Sequence, residues 1–140
     1  MMRNPDKYIR QYFYNTLNGM SVNGKTISIH DYRIPDNKDA YILMTTQQKS
    51  EGDPTKCDTP WDCYITLDVV TIYNNIAGSR LLADDIMEEV MKRTLNVLVS
   101  GFTVKKQSLD FPPDISTITS TQAIFRKLVI YNLVLSENEN

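Results

Sequence analysis

Residues 62–98, DCYITLDVVTIYNNIAGSRLLADDIMEEVMKRTLNVL, contain the pattern that decides the fold. An alternating apolar and polar segment predicts a β-strand, and an Asn/Gly turn connects it to a segment with helical periodicity. One face of the strand is mostly apolar and is expected to pack against the helix. The other face, with Tyr64, Thr66 and Asp68, is mixed in polarity, which favours partial cover by a neighbouring chain.

The helix of this stretch has recognisable signals at both ends. Ser79 is expected to cap it, because a serine oxygen accepts a hydrogen bond from a free N–H of the first turn. The acidic residues come early and Lys92 and Arg93 come late, which suits the helix dipole. Glu88 with Lys92 and Glu89 with Arg93 are spaced for ion pairs, so helix electrostatics explain the acids without metal chemistry. The apolar side is predicted to comprise Leu82, Ala83, Ile86, Met87, Val90, Met91 and Leu95.

Further elements are predicted on both sides of this unit. Asn4 is expected to cap an opening helix that has Pro5 in its first position and stops at Gly19. The predicted fold is α+β, in the order α-β-β-β-α-β-β, with a twisted, mainly antiparallel sheet of about five strands and two helices. Strands are predicted at 26–32, 40–46, 63–73, 102–110 and 118–135.

Length and composition indicate one folded domain over residues 1–140. Its 41% apolar and 23% charged residues are ordinary for a folded protein, and the net charge is −2. The basic residues form no cluster of the kind that binds phosphates, and neither a membrane span nor a signal peptide is recognised. Cys57 and Cys63 are expected to remain thiols, and a single histidine leaves too few ligands for zinc.

Two segments are unusual in length. Residues 47–61 are polar, lack periodicity and predict a long loop. Trp61, which closes it, either anchors the loop on the core or contacts another chain. The segment 118–135 would reach roughly 60 Å if extended, far beyond the ~17–20 Å of a typical strand. Either a bend divides it, or one end projects and pairs with another subunit.

Enzyme signatures are missing from the sequence. It has no dinucleotide fingerprint, no P-loop and no nucleophile elbow. His30 and Asp31 are adjacent on a strand, so their side chains point to opposite faces and cannot simply pair. Asp31, Asp68, Asp110 and Asp114 offer carboxylates for a metal-dependent nuclease, but no Glu-x-Lys follows a suitable Asp. No catalytic residue, cofactor or metal is predicted.

Taken in order, these elements resemble the tail terminator, or tail completion, proteins of tailed bacteriophages. The segments ISIHDYRIPDNKDAYILMTT (27–46), YITLDVVTIY (64–73) and GSRLLADDIMEEVMKRTLN (78–96) correspond to that family's strands and helix. The resemblance spans residues 5–135. Ala40 stands where the family often has proline, and the last strand is longer, so a related neck or connector ring protein fits as well. The matching positions are Asp31, Tyr32, Pro35, Ala40, Tyr41, Ile42, Leu67, Asp68, Val69 and Thr71.

The resemblance implies structural work in the virion rather than catalysis. Such proteins form six-fold or twelve-fold rings that cap the tail tube or join it to the head. The expected partners are copies of the chain and other tail, neck or portal-associated proteins. DNA would pass through the channel without sequence-specific binding, and no membrane would be involved. The chain would be located in the tail or neck of the virion, after assembly in the cytoplasm of the bacterial host.

Ring contacts are expected in the 47–61 loop, on the mixed strand face and along 118–135. A small adaptor that recruits one partner through an exposed strand edge is the first alternative, and the metal-dependent nuclease is the second. The candidate interface residues are Trp61, Tyr64, Thr66, Asp68, Arg126 and Tyr131.

Overall fold

The computed structural model describes residues 3–31, 39–52, 60–74 and 78–138. Within them, two helices and seven strands form an α+β fold, which confirms the predicted class. The elements are α1 (Asp6–Leu17), β1 (Met20–Val22), β2 (Lys25–Asp31), β3 (Ala40–Glu51), β4 (Pro60–Asn74), α2 (Leu81–Arg93), β5 (Phe102–Asp110), β6 (Ile115–Ile118) and β7 (Gln122–Glu137).

The strands form one mixed sheet in the order β1-β2-β3-β4-β7-β5, with β6 also paired to β7. Only the β2–β3 pairing is parallel among the described strands, so the sheet is mainly antiparallel as predicted. The predicted count of five strands and their order are wrong. The structure adds β1 before β2 and β6 before β7, so the observed order is α-β-β-β-β-α-β-β-β.

The side chains of Asn4 and Ser79, predicted to cap the helices, lie one residue before the observed N-cap positions, which are Pro5 and Arg80. The Asn4 side chain accepts a hydrogen bond from the N–H of Asp6, and Pro5 already has helical backbone angles. Likewise the Ser79 hydroxyl accepts from the N–H of Leu81. At the end of α1 Gly19 adopts a φ of 80°, a conformation that glycine reaches without steric cost.

The helices cover one face of the sheet, called here the inner face. Its central β4 positions are the apolar set predicted from the alternation, so the predicted side of the strand takes the helix. Met91 and Leu95 are exceptions to the predicted apolar side of the helix: Met91 is 37% exposed, and Leu95 lies beyond the end of α2 at Arg93 and is 73% exposed. The core includes Phe13, Leu17, Ile27, Ile42, Ile65, Leu67, Ile86, Val90, Val129, Tyr131 and Leu133.

The described residues of the polar segment 47–61 lie in strands except for Gly52, so the prediction of a loop over its whole length is wrong. β3 continues to Glu51, which lies opposite Trp61 on β4. Polar side chains replace apolar packing here, because α1 supplies polar partners. The Lys49 ammonium lies 2.7 Å from the carboxylate of Asp6, whose backbone carbonyl accepts a hydrogen bond from the Gln47 amide. Residues 53–59, including Cys57, lie outside the described residues.

The segment 118–135 is divided by a turn, so of the two predicted alternatives the bend is confirmed and the projecting end is not found. Ile118 ends β6, and Thr119 closes the turn by accepting a hydrogen bond on Oγ1 from the N–H of Gln122. β7 pairs with β4 along its length on one side. On its other side it pairs with β5 and then with β6. The long strand is therefore interior to the sheet.

Candidate functional site

The sheet face opposite the helices, called here the outer face, holds a second and smaller apolar cluster. Tyr41, Leu43 and Val70 are buried there, and Ile72 and Ile124 pack against them. Because these side chains are buried, the outer face is not simply a solvent-exposed polar surface. This agrees with the mixture of polar and apolar residues predicted on this side of β4.

Asp68 and Arg126 form an ion pair beside this cluster. The Nε and Nη2 atoms of Arg126 donate to the same oxygen, Oδ2 of Asp68, at 3.0 and 2.6 Å. Hydrogen bonding to Asp68 raises the pKa of Arg126, with a smaller opposing effect of burial. The Asp68 side chain is 2% exposed, whereas that of Arg126 is 38% exposed. The other carboxylate oxygen, Oδ1, is buried and has no hydrogen-bond partner among the described residues.

The remaining outer-face candidates differ in exposure. The Tyr64 side chain is 37% exposed and is available to a partner. Thr66 is buried, and its carbonyl accepts a long hydrogen bond from the Thr45 hydroxyl. Of the three positions predicted on this face, Tyr64 thus has the accessible surface, while Thr66 and Asp68 act within the fold.

Tyr131 lies on the inner face and is a core residue. Its side chain is completely buried, packs edge-on against Phe13, and forms a 2.6 Å hydrogen bond with the Thr94 hydroxyl. Burial raises the pKa of Tyr131 to about 12. This corrects its prediction as an interface residue, because a side chain without exposed surface has nothing to offer a partner.

Trp61 also lies on the inner face, opposite Leu135. It is half-buried and packs against the main core, and its indole N–H is buried without an acceptor among the described residues. The position supports the anchoring alternative over the partner contact.

The outer edge of the sheet, which is the side of β5 and β6 that faces away from β7, contains none of the predicted interface residues. β5 ends the strand order and β6 pairs only with β7, so neither has a strand on its other side within the described chain. Exposed apolar side chains flank this edge, most of all Leu95, Leu98 and Ile118 at 73%, 73% and 71%. A sequence feature that could have predicted this surface is an apolar residue next to turn residues, such as Leu98 before Ser100-Gly101 and Ile118 before Thr119.

A groove of about 600 Å³ lies between the α2–β5 connection and β5. Gln107 fixes its wall, because its amide donates to the Thr94 carbonyl at 2.9 Å and accepts from the N–H of Val97 at 3.0 Å. The groove is lined by Leu95, Asn96, Val97, Leu98, Val99, Ser100, Phe102, Thr103, Val104, Lys105, Lys106 and Gln107.

The strand aspartates do not converge. The Asp31 carboxylate lies 3.6 Å from Arg10, that of Asp114 lies 2.7 Å from Lys127, and Asp68 pairs with Arg126. No group of three or more His, Cys, Asp or Glu side chains is placed for metal binding anywhere in the described ranges. Over the same ranges, neither helix is long and apolar enough to cross a membrane.

Comparison with known proteins adds no relative to this picture. No family model matches the chain, and no curated protein matches it significantly.

Proposed function

We propose that this chain is a non-enzymatic structural protein of a tailed-phage virion, which assembles with its own copies into a ring at the head–tail junction or tail end. The carrying observation is the outer edge of β5 and β6, which has no partner strand among the described residues and is flanked by apolar side chains. Folded monomers usually protect such edges, and large exposed apolar side chains beside them commonly mark protein contacts.

The composition of this edge favours an ordered contact over indiscriminate aggregation. Lys105, Lys106 and the Pro112-Pro113 pair lie along it, and charges and prolines discourage unspecific strand pairing. Leu98 and Ile118 supply apolar area for a specific neighbour. A ring is the closed form of such a repeated contact.

The proposed ring would surround the DNA channel without holding the DNA tightly. The net charge of −2 provides no general attraction for phosphates. Partners at the two ring surfaces would be other tail, neck or portal-associated proteins.

Native mass spectrometry tests the assembly directly. We expect a six-fold or twelve-fold multiple of 16.1 kDa. Hydrogen exchange on the same sample provides an internal control. Assembly should slow exchange of β5 amides on the outer edge, whereas amides of β7, which is paired on both sides, should be slow in monomer and ring alike.

A chain that stays monomeric both alone at micromolar concentration and with isolated phage tails would contradict the ring. One-to-one binding of such a monomer to a single tail or neck protein would instead support the adaptor. Magnesium-dependent DNA cleavage that is lost in Asp68→Asn would support the nuclease.

A further inference from the structure

The three most exposed large apolar side chains of the described residues fall at two separate places. Leu95 and Leu98 border the groove, and Ile118 lies at the tip of the β6–β7 hairpin. Phe102, at the groove, pairs with Glu137, while Ile118 pairs with Ala123. The groove strand runs from Phe102 to Gln107, which pairs with Leu133, so the two places are ten to fourteen positions apart along β7, roughly 33–46 Å of extended strand. A single molecule cannot bring them together.

The hairpin side, residues 110–121, is here called the arm. It presents Phe111, Ile115 and Ile118, which are 49%, 40% and 71% exposed. Its β6 segment is extended and has one unpaired edge among the described strands. Both properties suit insertion along the edge of another sheet.

Groove and arm also differ in charge. The groove contains Lys105 and Lys106 and no acidic residue. The arm contains no basic residue; it contains Asp114, whose carboxylate lies 2.7 Å from Lys127, and the exposed Asp110. Lys106 of the groove and Asp110 of the arm, both on β5, carry opposite charge, which favours contact between unlike surfaces and disfavours arm-to-arm or groove-to-groove pairing.

We infer that the arm of one copy occupies the groove of the next, with β6 lying along the free edge of β5 and Ile118 packing against Leu95 and Leu98. Such a contact joins different surfaces of identical chains, so it repeats until it closes into a ring or extends as a filament. The inference rests on the proposed function and specifies which two surfaces build it.

Cross-linking between two single-cysteine variants tests the pairing. Leu98→Cys and Ile118→Cys are each made in a Cys57→Ser chain, where the remaining native thiol, Cys63, is buried. A flexible bismaleimide is then added to each variant alone and to their mixture. We expect covalent dimers in the mixture at least tenfold above either variant alone. Tyr14→Cys, exposed on α1, serves as the control partner and should give no such enrichment.

Charge exchange supplies an independent readout. Lys106→Glu should weaken assembly at least tenfold, and Lys106→Glu combined with Asp110→Lys should restore most of it, as both side chains are exposed. An assembly of ring mass without enriched cross-links in the mixture would overturn the arm-to-groove contact but leave the proposed ring standing. A chain that remains monomeric under all conditions would overturn both. If each variant cross-linked to itself as efficiently as to the other, the arm-to-groove contact would be overturned in favour of a symmetric two-fold interface.

Discussion

Arg126 and Asp68 form an ion pair whose partners are unequally buried, at 38% and 2% side-chain exposure. Both hydrogen bonds from the guanidinium reach one oxygen of the carboxylate. The arginine can turn towards water if its partner is lost, whereas the aspartate cannot. The two residues therefore play different parts in stability, although they share one interaction.

Replacing the two partners should have unequal effects. Arg126→Met leaves a buried carboxylate without its cation and is expected to lower the free energy of unfolding by about 3 kcal/mol. Asp68→Asn leaves only a half-exposed cation and should cost about 1 kcal/mol. Urea unfolding of each variant measures both values.

The double variant Asp68→Leu/Arg126→Met provides the control for that comparison. It buries no charge and should be more stable than Arg126→Met alone. Equal losses in the two single variants would show that the carboxylate is hydrated and not buried as described.

Cys63 is predicted to be chemically inert in the folded chain. Burial, with smaller contributions from Asp6 and Asp62, raises its pKa to about 12, so the reactive thiolate is scarce near neutral pH. In a Cys57→Ser background, a maleimide should label Cys63 only as the protein unfolds. Tyr64→Cys, one position further on the opposite strand face, should label at once. Rapid labelling of Cys63 in the native protein would contradict its burial.

Tyr131 should make stability fall at alkaline pH. Its pKa is raised from 10.0 to about 12, so within that window the unfolded chain releases a proton that the folded chain retains. The free energy of unfolding then decreases with rising pH, by up to about 1.4 kcal/mol per pH unit for this group. Below the unfolded pKa the group has no effect on the slope.

Tyr131→Phe removes this contribution and isolates it. The variant loses the hydrogen bond to Thr94, which should lower stability by about 1 kcal/mol at neutral pH. Its stability should then decline less steeply than that of the parent chain between pH 10 and 12. Parallel pH profiles for the two proteins would count against retention of the phenol proton in the fold.

Ser79→Ala should destabilise the protein by about 1 kcal/mol, because the N–H of Leu81 loses its acceptor. Ser79→Asp keeps an acceptor at the same place and should retain the parent stability. Thermal unfolding compares the three proteins, and an unchanged midpoint in Ser79→Ala would rule out a stabilising cap.

The signals that predicted correctly were local ones. Asn4 and Ser79 accept hydrogen bonds from the N–H groups two residues further on, where the helices begin. Likewise, alternation in β4 identified the face covered by the helices, since burial of apolar side chains follows the two-residue period of a strand. Such interactions are encoded in short windows of sequence.

The predictions that failed depended on partners distant in sequence. Gln47 and Lys49 belong to a strand because α1 gives their polar side chains partners, which alternation of hydrophobicity does not reveal. The turn at Thr119, by contrast, is closed locally by hydrogen bonds from the N–H groups of Thr121 and Gln122 to its own hydroxyl, but β-branched residues of the kind usually typical of strands obscured it in the sequence. The pairing of Asp68 with Arg126 required the alignment of β4 with β7, which no local pattern contains.

The pairing of β4 with β7, the central ladder of the sheet, also has a consequence for folding kinetics. β4 and β7 align over fifteen consecutive residue pairs without an irregularity. A slip by one residue would turn Asp68 towards the helices and Leu67 away from them, so side-chain preference selects a single alignment. Those strands are separated along the chain by a helix and two further strands, and closing so large a loop costs entropy before any pair forms. We therefore expect refolding to be slow compared with helical domains of this size, with formation of this ladder as the limiting event.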